Sequence, residues 1–135
     1  MLVDITKIIA IESNFDSCKI GKAGEVGLCQ ITKEVLMDYN RYLRLKGGFY
    51  RQYVYPKDLF DARINIGIAQ WYLERRIPEM LAAYGKPATL ENVLISYNAG
   101  IKYVRDNIEP PKTTQRYIEK YNRIESDVAR VKAYL

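Results

Sequence analysis

The chain contains no histidine. That absence removes imidazole-dependent nucleophilic triads, most zinc sites and histidine general-base chemistry. Cysteine is nearly absent too, with only Cys18 and Cys29. Two thiols do not close a zinc site without histidine, and their spacing is not CxxC. A disulfide between them needs an oxidising compartment, and two free thiols are the favoured reading. No metal and no cofactor is therefore expected. No run of about 18 apolar residues occurs, so no membrane span is expected. No charged segment followed by an apolar one opens the chain, so no signal peptide is expected. Repeats, low-complexity tracts and linkers are missing as well, which points to a single domain over residues 1–135. The chemistry that remains is that of carboxylates, hydroxyls and amides.

What is present is a basic balance and a helical pattern. The net charge is +5, from 21 Lys and Arg against 16 Asp and Glu. Such a surface is either ordinary and solvated or attracted to a polyanion, whether nucleic acid or an acidic wall polymer. The basic residues are spread among acids along the chain, so no nucleic-acid partner is expected.

Helical periodicity runs almost throughout. Asp4 is placed to cap a first helix that ends near Ser13. Gly21 and Gly24 mark a loop, and Thr32 caps a helix that Gly47-Gly48 stops. A long, mostly apolar helix starts at Asp58 or Asp61. Gly67 inside it implies a closely packed neighbour, and Pro78 should kink or end it. Thr89 caps the next helix, which Asn98-Ala99-Gly100 breaks. Thr113 or Thr114 starts a last helix with a heptad-like seam from Tyr117 to Leu135, which packs on its own domain or docks a partner. The fold expected is all-α, with room for one small β-hairpin around Gln52–Tyr55.

Glu12 is the residue out of place. Read as a helix, Ile5, Ile8, Ile9 and Glu12 share one face at i, i+3, i+4 and i+7. A carboxylate on that face is either sheltered among apolar groups or sits at the helix end with its head in solvent. In the first case desolvation raises its pKa, and a glutamic acid still protonated near neutral pH is what a general acid needs.

Glu12-Ser13, Gly27-Leu28-Cys29-Gln30-Ile31, Ser96-Tyr97-Asn98-Ala99-Gly100 and Thr114-Gln115-Arg116-Tyr117 occur in the order of the four motifs of a known family. Together they resemble the catalytic domain of the soluble lytic transglycosylases, the goose-type-lysozyme-like group of peptidoglycan-cleaving enzymes. Asn65-Ile66-Gly67 resembles a segment of that family's central helix. The resemblance spans about Ile5 to Tyr121 and implies a lysozyme-like α fold with a cleft for a glycan strand. It assigns Glu12 as the single catalytic acid. It also implies substrate-binding roles for Ser13, Cys29, Gln30, Tyr97, Asn98 and Tyr117, with the Tyr117 hydroxyl near the acid. Three positions depart from the pattern. Cys29 stands where methionine is frequent, Glu25-Val26 where small residues are, and Thr113 and Gln115 where the family has glutamate and arginine. From spacing alone, Tyr97 and Tyr117 read as core aromatics, a preference that the motif order reverses, and Ser13 is either a site residue or a helix-end hydroxyl. The loop aromatics Phe49, Tyr50, Tyr53 and Tyr55 either stack on sugar or pack under their own loop.

The implied reaction needs one carboxyl group. The N-acetyl carbonyl of the sugar can stabilise C1 in place of a second carboxylate. Glu12 would then act as acid and afterwards as base, leaving a 1,6-anhydromuramic acid end. A rival enzyme, an inverting muramidase, needs a second carboxylate about 6.5–9.5 Å away, for which Asp16 and Glu25 are the candidates. A non-catalytic wall-binding or nucleic-acid-binding module is the other alternative. The partner expected is the peptidoglycan glycan strand. Action is expected outside the cytoplasm, in the periplasm or wall. Without a signal peptide, either export uses another route, such as a phage particle, secretion machinery or another wall-penetrating assembly, or the chain is a domain cut from a longer protein.

Overall fold

The computed structural model describes residues 2–48 and 51–135. Helix α1 spans Ile5–Ser13, with the Asp4 side chain accepting from Thr6 N–H at 2.9 Å. It buries Ile5, Ile8 and Ile9, and Asn14 ends it in the left-handed region at φ 50°. Helix α2 spans Lys33–Lys46 and is capped by Thr32, whose hydroxyl accepts from Val35 N–H at 3.2 Å. A short 3₁₀ turn at Lys57–Phe60 leads to α3, Ala62–Trp71, which Asp61 caps. A π turn follows at Tyr72–Arg76 and then α4, Ile77–Ala83. Helix α5 is Leu90–Ala99, capped by Thr89, and α6 is the single turn Lys102–Arg105. The last helices are α7, Lys112–Arg123, and α8, Val128–Lys132.

The stretch from α3 to α4 is the centre of the molecule. Ile66, Ile68, Ala69, Leu73, Ile77 and Leu81 are all buried along it. Each large aliphatic side chain removed from water there contributes roughly 1.5–3 kcal/mol. Helix α7 packs against both α1 and α5, and so joins the two ends of the chain to the middle. The fold is all-α, and no sheet forms among the described residues.

Four local expectations differ from what is observed. The segment Gln52–Tyr55 forms no hairpin. The Asn40 side chain takes the place of a neighbouring strand, donating to Tyr53 O and accepting from Tyr53 N–H, both at 2.9 Å. Asp58 binds the next N–H, that of Val54, at 2.7 Å. The β pairing among the described residues lies instead at the isolated bridges Ile20–Val26 and Val26–Ile31. Gly67 is exposed and a Cβ there would meet nothing, so no close neighbour explains it. Pro78 does not end the helix. The wider π turn before it, with Ile77 N–H bonded back to Tyr72 O, places the proline in the first turn of α4, where its missing N–H is tolerated. The heptad-like seam is broken between Arg123 and Val128. Thr6 Oγ1 bonds both Ser126 Oγ and Asp127 N–H, and Asp127 caps a separate α8. Tyr117, Tyr121 and Val131 on the two helices are buried in the domain's own core.

Among the loop aromatics, Tyr53 packs against Tyr39, and the Tyr55 hydroxyl donates to Gly24 O. Phe49 and Tyr50 fall outside the described residues.

Candidate active site

The site is built around the loop from Val26 to Ile31. Gly27 turns it at φ +80°, and a Cβ there would overlap Asn65 Nδ2 and Leu59 O, so only glycine fits. Asn65 explains the crowding. It is fully buried in α3, donates to Val26 O at 2.8 Å and Leu59 O at 2.9 Å, and accepts from Cys29 N–H at 2.9 Å. Gln30 sits in the left-handed region at φ 54°, and its Nε2 donates back to Gly27 O at 3.0 Å and Lys19 O at 3.2 Å. Side-chain amides thus add to the loop's own backbone pairing, in which Val26 and Ile31 exchange N–H···O bonds at 3.0 Å.

Against this loop lies a cleft of about 340 Å³, whose walls include Glu12, Glu25, Gln30, Tyr72, Tyr97 and Asn98. Glu12 reaches it from the last turn of α1. Tyr97 and Asn98 come from the end of α5. The Tyr97 hydroxyl donates to Cys29 O at 2.5 Å, which ties α5 to the loop. The Asn98 Oδ1 accepts from Thr114 Oγ1 at 2.8 Å, which orients the amide so that its nitrogen is left for a ligand. From α7, the Tyr117 hydroxyl donates to Glu12 Oε2 at 3.1 Å.

The electrostatics follow from the packing. Burial is the main influence on Glu12 and pushes its pKa from 4.5 to about 7, with the nearby Glu25 charge adding to the rise. The Tyr117 hydroxyl and the Lys19 ammonium pull the other way without cancelling it. Lys19 Nζ is itself anchored on the Glu12 backbone carbonyl at 2.5 Å. Burial and the Glu12 charge hold the Tyr97 and Tyr117 phenols well above their ordinary range, so both remain hydroxyl donors.

The family model of the transglycosylase SLT domain matches residues 3–132. The chain is an SLT domain. The family is one of lytic transglycosylase-type enzymes that cleave peptidoglycan, and the lysozyme-like α fold and the glycan substrate class come with it. No curated protein and no solved structure matches the chain. No helix among the described residues is long and apolar enough to cross a membrane.

Of the residues singled out in the sequence, this SLT domain brings Glu12, Gln30, Tyr97 and Asn98 to the cleft wall and sets Tyr117 on Glu12. Ser13 and Cys29 do not line the cleft. Ser13 lies one residue, about 100° of helix, past Glu12. It is buried, and its hydroxyl donates to Ile9 O at 3.2 Å. The Cys29 side chain is fully buried beneath the loop, where burial raises the thiol's pKa; only its backbone serves the site, through the bonds to Asn65 and Tyr97. Cys18 and Cys29 are both free thiols. Of the two candidate second carboxylates, Glu25 lines the cleft, whereas Asp16 is exposed and accepts from Cys18 N–H at 2.9 Å. The departures Thr113 and Gln115 lie outside the cleft: Thr113 faces solvent, and Gln115 Nε2 donates to Pro110 O at 2.9 Å.

Sequence reasoning missed Tyr72, Thr114 and Lys19. Tyr72 was hidden among the apolar positions of a long helix. Thr114 looked like a cap, although no side chain caps α7. Lys19 was one basic residue among many.

Proposed function

We propose that this SLT domain cleaves the β-1,4 bond between N-acetylmuramic acid and N-acetylglucosamine, leaving a 1,6-anhydromuramic acid end and consuming no water. The observation that carries this reading is the position of Glu12: in the wall of a cleft, largely desolvated, with its pKa near 7 and one oxygen bonded to Tyr117. A group half-protonated at neutral pH can deliver a proton and later accept one.

In the first step the protonated Glu12 gives its proton to the glycosidic oxygen. The bond from C1 to that oxygen breaks, and the N-acetyl carbonyl oxygen of the same sugar closes on C1. The Asn98 amide is placed to orient that acetamido group. In the second step the Glu12 carboxylate takes the proton of the sugar's 6-hydroxyl. That oxygen attacks C1 and displaces the acetamido oxygen, which returns Glu12 to its starting protonation state. The Tyr117 hydroxyl stabilises the intermediate carboxylate. Gln30, with its amide nitrogen spent on its own loop, offers its carbonyl oxygen to a sugar hydroxyl. General acid catalysis of this type contributes about 10²–10⁴-fold.

Glu25 supports a second reading. It shares the cleft and raises Glu12, as the base of an inverting muramidase would. Its Oε1 is occupied by Ala23 N–H at 2.8 Å, which favours a holding role for the loop over activation of water. Mass spectrometry of peptidoglycan digests separates the two. Products one water lighter than the hydrolytic muropeptides are expected from the wild type, and Glu12→Gln should form them at least about 100-fold more slowly. Products of hydrolytic mass would transfer the assignment to the muramidase reading. We place the action outside the cytoplasm, where the polymer lies, and the net charge of +5 suits the anionic polymers of a wall.

A further inference from the structure

Lys19 stands outside the cleft wall, in the turn between α1 and the Ile20–Val26 bridge. It is exposed, yet both of its ends are engaged. Its Nζ donates to the Glu12 backbone carbonyl at 2.5 Å. Its own backbone carbonyl accepts from Gly27 N–H at 2.8 Å and from Gln30 Nε2 at 3.2 Å. One residue therefore holds both the end of the helix that carries the acid and the loop that carries the cleft glutamine. The bond to Glu12 has its reason in the helix. The last carbonyls of a helix have no intrahelical partner, and a cation beside them is favoured by the helix dipole. In the last turn of α1, Asn14 N–H takes Ala10 O, Asp16 N–H takes Ser13 O, and the Lys19 ammonium takes Glu12 O.

Charge is the second consequence of this placement. The groups that face Glu12 are Tyr117 from α7, Tyr97 from α5, Cys29 and Glu25 from the loop and its approach, and Lys19 from the turn after α1. Burial holds the two phenols and the thiol well above their ordinary ranges, so none of them carries charge near neutral pH. The Glu25 charge opposes a second carboxylate beside it. Among the described residues, Lys19 is the one cation that favours the charged form of Glu12. That form exists between the two steps proposed above, after the proton has gone to the glycosidic oxygen and before the sugar's 6-hydroxyl returns one.

We propose that Lys19 is a positioning residue of this reaction: it pins the last turn of α1 to the Gln30 loop and keeps a positive charge beside the carboxylate that forms between the two steps. The proposal rests on the glycan-cleaving reading above. Lys19→Met removes the ammonium but keeps the backbone carbonyl that serves Gly27 and Gln30, and Lys19→Arg keeps the charge. Both are compared with the wild type on soluble glycan strands across pH, and the Glu12 carboxyl is followed by carbon-13 NMR in the same proteins without substrate. In Lys19→Met the Glu12 titration and the alkaline fall in turnover should both move to higher pH. Its kcat should drop by about 5-fold, the upper range for an exposed charge contact, while KM stays within about 2-fold, since the interaction acts on the acid and not on bound substrate. Lys19→Gln, neutral but still able to donate, should move the titration as Lys19→Met does. Lys19→Arg should restore both the titration and kcat. An unmoved Glu12 titration in Lys19→Met and Lys19→Gln would overturn the proposal whatever happens to turnover. So would equal losses in Lys19→Met and Lys19→Arg, which would make Lys19 a structural tie alone, and so would a rise in KM with kcat unchanged. Wild-type products of hydrolytic mass would overturn the transglycosylase reading and leave the titration to decide Lys19.

Discussion

The Tyr117 hydroxyl donates to Glu12 Oε2 at 3.1 Å across 105 positions of sequence, joining α7 to the end of α1. The bond favours the carboxylate, while the surrounding burial favours the acid, and burial is the larger influence. Glu12 is thereby held near neutrality, within reach of both protonation states.

The first prediction concerns activity against pH. The opening step needs the protonated form of Glu12, whose pKa is pushed up to about 7. Turnover of isolated peptidoglycan should therefore fall as pH rises through about 7. Turnover limited by a Glu12 deprotonating near 4.5, its ordinary value, would mean that the side chain is solvated when it acts.

The second concerns stability, with the opposite consequence for the same residue. In the unfolded chain Glu12 ionises near 4.5, whereas in the fold it holds its proton to about 7. Stability is therefore complete below the lower value, declines between the two, and is reduced by about 3 kcal/mol above the upper one. Glu12→Gln removes that penalty. Urea denaturation at pH 4 and at pH 8 should find the variant close to wild type in acid and more stable than wild type in mild alkali. Equal stability at both pH values would contradict a desolvated acid.

A third prediction separates Tyr117 from Glu12. Tyr117→Phe keeps the ring in the core and deletes the donor to the carboxylate. With the downward pull removed, the pKa of Glu12 should rise further, and the alkaline fall in activity should move to higher pH. Peak activity should drop by about 10-fold, the loss of a hydrogen bond to a charged group being worth roughly 1.5–3 kcal/mol before relaxation. An unshifted profile would reduce Tyr117 to a packing residue.

How much of this was legible in the sequence depends on which signal each residue carries. The helices around Thr32, Asp61 and Thr89 were readable because a capping side chain next to an apolar stripe is a local signal. Glu12 stood out because a carboxylate on an apolar face violates that stripe, although helix position alone left open whether its head was sheltered or in solvent. Ser13 and Cys29 lie away from the cleft wall: a motif names adjacent residues, whereas the backbone turns one neighbour toward the cleft and the next into the core. The break between α7 and α8 was invisible because it depends on Thr6, a residue about 120 positions away in sequence. The absent hairpin has the same origin: Asn40 substitutes for a strand, and no local pattern announces that.

The fourth prediction tests the loop that carries Gln30. Asn65→Leu takes the side-chain partner from Cys29 N–H and from Leu59 O, while Val26 O keeps only its bond from Ile31 N–H. Each buried group so stranded costs about 1–3 kcal/mol, so a loss of several kcal/mol in urea denaturation is expected, with activity lost alongside. Gly27→Ala should act similarly, since it forces a Cβ against the same asparagine at φ +80°. Wild-type stability in either variant would mean that the loop is held by something else.

The wide turn at Tyr72–Arg76 also constrains what the chain can tolerate in its middle. Because Ile77 reaches back five residues there, the segment holds one residue more than an ordinary α-helical turn. Rewinding it as α-helix with that residue retained would swing every side chain downstream by about 100°. Ile77 and Leu81 would rotate out of the interior, and Tyr72 could not face the cleft while they stayed in place. The segment is therefore a phase-setting device: it absorbs one extra residue, and removal of that one residue should restore plain α-helix with Ile77 and Leu81 still inside.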